Sequence, residues 1–192
     1  MKTIALHDLR FRLRISASEV RERVYAVAQE IRTALVDTEP VFVVVLNGAM
    51  FFAVDLLRAL DMRSTMVTVQ ASSYGSGTTS SGAVEILGNL PNVHNKHVVI
   101  VEDIVDSGAT LYHIHQALMR QQPQSISVAA VVNKPRAHKH DVKVDYCCFQ
   151  MDAEFLVGYG LDYAGHGREL TDIYERIPDG EASVLHETIM RA

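Results

Sequence analysis

With 192 residues, 48% of them hydrophobic and 21% charged, the chain has the composition of a globular protein built on one sizeable core, not of a disordered segment. A net charge of −5, a sequence pI near 6.0 and a mean hydropathy of +0.07 argue against bulk binding to nucleic acid or to an anionic membrane. An anionic ligand would meet an acidic protein here, a conflict that a bound metal ion resolves.

The opening MKTIALHDLRFRL has too short an apolar run for a signal peptide, with His7, Asp8 and Arg10 interrupting it. Ser16, followed three residues later by Glu19, matches a capping box. Val20, Val24, Val27, Ile31, Ala34 and Leu35 then recur at helical spacing and predict a long amphipathic helix. VFVVVL (41–46), after Pro40, reads as a strand buried on both faces. AMFFAVDLLRAL (49–60) predicts a helix and STMVTVQ (64–70) a strand. SSYGSGTTSSG (72–82) breaks all periodicity and reads as a solvated, mobile loop.

AVEIL (83–87) and HVVIVED (97–103) are the next predicted strands, and ATLYHIHQALMRQ (109–121) a helix. SISVAAVV (125–132), KVDYCCFQ (143–150) and FLVGYGLD (155–162) complete the predicted strands, and the tail EASVLHETIMRA (181–192) carries only weak signals. Strand, helix and strand alternate, which predicts a mostly parallel twisted α/β sheet flanked by helices. No run reaches the roughly 18 apolar residues of a membrane helix. The only cysteines, Cys147 and Cys148, are adjacent; neighbours on a strand face opposite ways, so a bridge is not expected and the chain reads as a reduced, cytoplasmic protein.

The stretch VVIVEDIVDSGATL (98–111) concentrates the chemistry. An apolar strand runs directly into Glu102 and Asp103, then Asp106, and then the small and hydroxyl-bearing Ser107, Gly108, Ala109 and Thr110. In open α/β sheets ligands sit at the carboxyl ends of strands. Amides of a turn that opens a helix make an anion pocket, and Gly108 lets the backbone approach closely. Carboxylates beside such a pocket suit ribose hydroxyls and a hard cation such as Mg²⁺. Three acids at one strand end repel one another unless something binds among them. Two common phosphate loops are excluded: Gly77 to Gly82 has Walker A spacing, but Ala83 replaces the lysine, and Ser80 stands where a dinucleotide fingerprint needs its third glycine.

On these residues the chain resembles the type I phosphoribosyltransferases, and more closely the hypoxanthine-guanine phosphoribosyltransferases. VVVLNGAMFFAVDLLRAL resembles their pyrophosphate loop, SSYGSGTTSSG their catalytic loop, and VVNKP with EFLVGYGLDYAGHGREL their purine-binding hood. The resemblance implies a single domain over 1–192, with a small hood lobe formed by the N-terminal segment and about 134–175. It implies transfer of hypoxanthine or guanine onto 5-phosphoribosyl 1-pyrophosphate (PRPP), in purine salvage, with Mg²⁺ as cofactor and a homodimer or homotetramer as the assembly.

Carried over residue by residue, Glu102 and Asp103 hold the ribose hydroxyls, partly through the metal, and Asp106 is the general base toward purine N7. Residues Asp106, Ser107, Gly108, Ala109 and Thr110 hold the 5′-phosphate. Lys134 donates to the 6-oxo group, Phe155 stacks on the base, and the Leu156 backbone meets its edge. Asp162 serves the purine site and, with Glu102 and Asp103, the metal. Leu46, Asn47, Gly48 and Arg168 hold pyrophosphate, with a non-proline cis peptide in the loop, and Ser73 and Tyr74 belong to the catalytic loop. The partners implied are a 6-oxopurine and PRPP, with no nucleic acid and no membrane.

Two departures from the family's wording bear on loop geometry and purine preference: Ala49 after the loop glycine, and MDAEF before the stacking aromatic. The rival readings are a PRPP-sensing regulator that binds nucleic acid, which needs a basic face, a xanthine-preferring transferase, and one acting on adenine, orotate or uracil. The lysines and arginines are scattered, with modest clusters at Arg10–Arg14 and Lys134–Lys143. Of the histidines, His113 and His115 do not share a helix face, and neither His94 with His97 nor His138 with His140 has zinc spacing; all are read as solvated.

Overall fold

The computed structural model describes residues 2–73, 84–87, 90–153 and 155–178, with backbone alone for 71–73 and 84–87. The chain divides into two compact units, Met1–Val20 with Ala153–Ala192, and Arg21–Asp152.

The larger unit is built on a six-stranded sheet. Its strands are β3 (Val41–Leu46), β4 (Thr65–Ser73), β5 (Val84–Leu87), β6 (His97–Val105), β7 (Ser125–Asn133) and β8 (Tyr146–Gln150), in the order β5-β4-β3-β6-β7-β8. Five run parallel, and β5 pairs antiparallel with β4. The strands that read as unbroken apolar runs are the central ones: Val41 to Val45 and Val98 to Val101 are all buried, as strands covered on both faces must be. Helix α2 (Met50–Leu60) follows β3 and packs on β3 and β6, and α3 (Ala109–Met119) follows β6. Leu111, Ile114 and Leu118, spaced three and four apart, bury one face of α3 against Val43, Ile100 and Val128. β6 therefore lies mid-sheet and ends, at Val105, four residues before α3 starts.

The smaller unit carries a four-stranded antiparallel sheet, β1 (Thr3–Leu6), β2 (Leu9–Ile15), β9 (Leu156–Val157) and β10 (Ile173–Arg176), in the order β1-β2-β10-β9. Its core is Phe11, Val157 and Tyr174. Helix α1 (Ala17–Ala34) begins here behind the predicted capping box: the Ser16 N–H donates to Glu19 Oε2 at 2.9 Å and the Glu19 N–H to Ser16 Oγ at 3.4 Å. Asp172 Oδ1 accepts the Ala17 N–H at 2.8 Å, adding a second acceptor at the same helix end.

Three differences from the sequence reading concern this unit. Strands β1, β2 and β10 were not among the predicted elements, although Leu9, Phe11, Leu13 and Ile15 alternate with Arg10, Arg12 and Arg14. FLVGYGLD forms only the two-residue β9, because Gly158, Tyr159 and Gly160 all take positive φ and turn the chain. Residues 134–152, expected in the hood, cluster with the larger unit because β8 extends the parallel sheet beside β7. Among the described residues, no helix is long and apolar enough to cross a membrane.

Candidate active site

In the larger unit, β6 brings the acidic sequence to the carboxyl edge of the sheet. Glu102 is only 6% exposed; burial, and then the neighbouring charge of Asp103, push its carboxyl well above the usual carboxylate range. The Asp103 carboxylate accepts the Ile104 N–H at 2.9 Å and lies directly over Gly48, where a Cβ would overlap it. Gly48 and the acidic strand end are thus in contact. The Leu46–Asn47 peptide that precedes Gly48 is cis.

The turn after β6 ends in Gly108, at φ 78° and ψ 1°, which is the N-cap of α3. A glycine cap has no side-chain oxygen to offer, and α3 has no acidic residue in its first turn. Its leading amides and the positive end of its dipole therefore face outward without a side-chain acceptor, apart from a long 3.4 Å contact from the Ala109 N–H to Ser107 Oγ. Residues Asp106 to Leu111, with Glu102, Ile104 and Val105, line a pocket of about 100 Å³. Helix α2 starts in the same way, with Ala49 as its N-cap and no side-chain cap. Two uncapped helix N-termini thus follow the neighbouring parallel strands β3 and β6, with the Asp103 carboxylate on Gly48 between them in sequence order. That arrangement suits a ligand with two anionic groups joined by a hydroxyl-bearing body.

Lys134, immediately after β7, is buried, and its ammonium lies 3.2 Å from Asp106 Oδ2. Two backbone bonds hold this corner: Lys134 N–H to Val105 O at 2.9 Å and Lys139 N–H to Ser107 O at 2.9 Å. Asn133, which the sequence reading passed over, is also buried and shares a 2.8 Å hydrogen bond with His138 Nε2. The signal available was a polar residue ending an otherwise apolar strand.

In the smaller unit, Phe155 is 37% exposed, with Phe11 and Tyr163 rings at 6.3 and 5.8 Å. Leu156 is buried in β9. Asp162 and Arg168 form one device: Arg168 Nη2 meets Asp162 Oδ1 at 2.6 Å, Arg168 Nη1 donates to Gly160 O at 2.6 Å, and the Gly165 N–H donates to Asp162 Oδ2 at 2.8 Å. Asp162 thereby fixes the turn and aims the guanidinium. Ser73 ends β4 and is described by its backbone alone, and Tyr74 lies outside the described residues.

The acids present fit Mg²⁺. Glu102 and Asp103 are adjacent hard oxygen donors, and the raised proton affinity of Glu102 marks a place where a cation would be favoured over bare charge. Among the described residues no three His, Cys, Asp or Glu side chains form a complete metal cage. Mg²⁺ takes one or two carboxylates and completes its shell with substrate oxygens and water, so Glu102 and Asp103 would suffice as its protein ligands.

Comparison with known proteins points the same way. The model of the phosphoribosyl transferase domain matches residues 16–164. The chain is 35% identical to hypoxanthine-guanine phosphoribosyltransferase of Aquifex aeolicus over 167 residues, 86% of this chain and 94% of that one. Its fold is similar to the crystal structure of a hypoxanthine phosphoribosyltransferase from Staphylococcus aureus, with a TM-score of 0.83, 29% identity, and coverage of 88% and 92% of the two chains. Hypoxanthine phosphoribosyltransferase from Trypanosoma cruzi, in complex with the product IMP, is similar at a TM-score of 0.81 and 30% identity, with 92% of this chain and 98% of that one covered.

Proposed function

Because the chain belongs to the phosphoribosyl transferase family, we propose that it joins hypoxanthine or guanine to PRPP and releases pyrophosphate, forming IMP or GMP. The observation that carries this reading is the contact of Asp103 with Gly48, which sets an acidic strand end beside two uncapped helix starts. The α3 turn takes the 5′-phosphate on its amides and on Ser107 and Thr110, and the Leu46–Gly48 loop takes the pyrophosphate. Glu102 and Asp103 accept from the ribose hydroxyls and hold Mg²⁺, which when bound offsets charge on the pyrophosphate oxygens.

The reaction exchanges one bond at C1′ for another. The C1′–O bond to pyrophosphate breaks, leaving the electron pair on oxygen, and a purine nitrogen forms the new C1′–N bond through an oxocarbenium-like centre. Asp106, 57% exposed at its side chain, takes the proton that the base must lose. Lys134 donates to the 6-oxo group, Phe155 lies against the ring, and the Leu156 backbone meets its edge. Asp162 orients Arg168, whose guanidinium meets the departing pyrophosphate. Ser73 and Tyr74 belong to the segment that excludes water during transfer.

The acting form we propose is a cytoplasmic homo-oligomer. Met50 and Val54, one turn apart on α2, are 46% and 40% exposed, an apolar pair suited to a second copy. The regulator reading requires a free basic face, and two arginines of the N-terminal cluster, Arg12 and Arg14, lie 3.5 and 3.9 Å from Glu175.

The deciding experiment is turnover with hypoxanthine, guanine, xanthine and adenine in parallel, with and without Mg²⁺. Nucleotide from a 6-oxopurine, dependent on Mg²⁺, is expected. No product from any 6-oxopurine overturns the reading.

A further inference from the structure

A second cavity, larger than the phosphate pocket, lies elsewhere in the same unit. A space of about 320 Å³ lies between α3, the first half of β7 and residues 141–145, which lead into β8. Its size falls in the range of small-molecule sites, about 300–1,000 Å³. Leu111, Ile126, Val128 and Val142 give it an apolar surface, and Tyr112, His115, Gln116 and Asp141 give it a polar one.

The hydrogen bonds around it are unevenly spent. Lys143 and Asp145, also on the lining, are closed on each other at 2.6 Å, and Asp145 Oδ2 accepts the Val128 N–H at 2.9 Å. By contrast, the side chains of Tyr112, His115, Gln116 and Asp141 hydrogen-bond to none of the described residues. Convergent polar groups around an apolar floor are what fix the orientation of a small ligand. The Tyr112 ring is already held, stacked on His140 with centroids 5.1 Å apart and planes at 28°.

The charges select the ligand class. Once Lys143 and Asp145 neutralise each other, Asp141 is the one formal charge left on the lining, so a phosphate is disfavoured and a hydrogen-bond donor is wanted. A flat ring suits the aliphatic floor.

The cavity also touches the phosphate turn. Val142 lines it and stands so close to Gly108 that a Cβ there would lie 2.7 Å from Val142 Cγ2. Leu111 lines both the cavity and the phosphate pocket, and the Lys139 N–H bonds Ser107 O from the same segment. We propose that this cavity is a regulatory site for an uncharged or singly cationic N-heterocycle bearing an N–H donor, and that its occupancy reaches the phosphate turn through Val142 and Lys139. The coupling rests on the reading of that turn as the sugar-phosphate grip; the binding does not.

The test is amide chemical-shift titration of the full-length protein with 2-aminobenzimidazole, a singly cationic probe of this class, and separately with ribose 5-phosphate. The probe is expected to give saturable shifts at residues 112–116 and 141–145. Asp141→Ala, at an exposed position without a protein partner, is expected to weaken it on the order of tenfold, the loss of one charge-assisted hydrogen bond. Saturating probe is expected to change the ribose 5-phosphate affinity at residues 106–110 about threefold or more, and to lose that effect in Asp141→Ala. No saturable shift, shifts confined to residues 102–110, or an unaltered Asp141→Ala titration overturns the site. Probe binding with unchanged ribose 5-phosphate affinity overturns the coupling. Failure of ribose 5-phosphate to bind removes the functional reading and the coupling with it, while the cavity titration stands on its own result.

Discussion

The ammonium of Lys134 lies 3.2 Å from the Asp106 carboxylate, and the two side chains stand at opposite extremes of exposure, 7% and 57%. The lysine is the fixed member: it follows β7 directly, is buried, and is tied by its own N–H to Val105 O. The carboxylate is the wetter one, at the mouth of the turn. In the proposed reaction both meet one purine, the lysine at its 6-oxo oxygen and the carboxylate at its departing proton. The ion pair therefore holds the two groups at ring-edge separation before the base arrives.

Lys134→Met should accordingly act on the purine and not on the sugar phosphate. A site deprived of its donor to a substrate oxygen loses discrimination along with affinity. kcat/KM for hypoxanthine should fall about 10²-fold, a loss of roughly 2.7 kcal/mol in transition-state binding, with KM for PRPP little altered. The preference for hypoxanthine over adenine should shrink. Steady-state kinetics with both purines measure this, and an unchanged preference would remove Lys134 from the purine site.

Asp106→Asn keeps the shape of the turn and removes the proposed proton acceptor. The expected loss is in kcat, about 10²–10⁴-fold, while PRPP affinity by calorimetry changes little. Equal kinetics for variant and wild type would show that another group takes the proton.

The long patterned elements were open to a sequence reading. The unbroken apolar run of β3 and the capping box at Ser16 each obey a single local rule, and the structure follows both. The acidic string at 102–106 was also legible, because an apolar strand ending in three carboxylates has few structural explanations. The sheet of the smaller unit was not. Its β2 alternates correctly, but arginine at every second position reads as surface until β10 supplies Glu175 beside Arg12. β2 and β10 lie about 160 residues apart in the chain, and pairing at that separation leaves no local mark. The contact between Gly48 and Asp103 was hidden for the same reason.

Gly48→Ala tests that contact. The added methyl would overlap the Asp103 carboxylate, so the loop or the strand end must shift. Overpacking of this kind costs about 1–3 kcal/mol. Differential scanning calorimetry should show a lowered Tm, and PRPP affinity should drop more than purine affinity, because both displaced groups belong to the sugar-pyrophosphate side. Wild-type PRPP affinity in this variant would sink the role given to the loop.

Burial also protects the Cys148 thiol. Cys148 is buried in β8 and its pKa is pushed up to about 12, first by desolvation and then by Cys147. The thiolate is the reactive species, so at neutral pH almost none is present. Iodoacetamide should leave Cys148 unmodified in the native protein and label it once guanidinium unfolds the chain, as read by peptide mass spectrometry. Rapid native labelling would contradict the placement of β8.

Acid stability should depend on Asp172. Lys2, above all, lowers its pKa below the ordinary 3.8, and the Ala17 N–H and Tyr174 hydroxyl lower it further, against a desolvation that raises it. A carboxyl with a depressed folded-state pKa stabilises the protein above its unfolded value and loses that contribution as pH falls through the folded one. The stability of wild type should therefore drop as pH goes below about 4, where the unfolded chain takes up the proton first. Asp172→Asn removes the linkage: it should be less stable at pH 7 by roughly 1–3 kcal/mol, the loss of hydrogen bonds to a charged acceptor at the start of α1. Its denaturation midpoint should also vary less between pH 5 and pH 2. Parallel midpoint-against-pH curves for the two proteins would show that Asp172 carries no titration linked to folding.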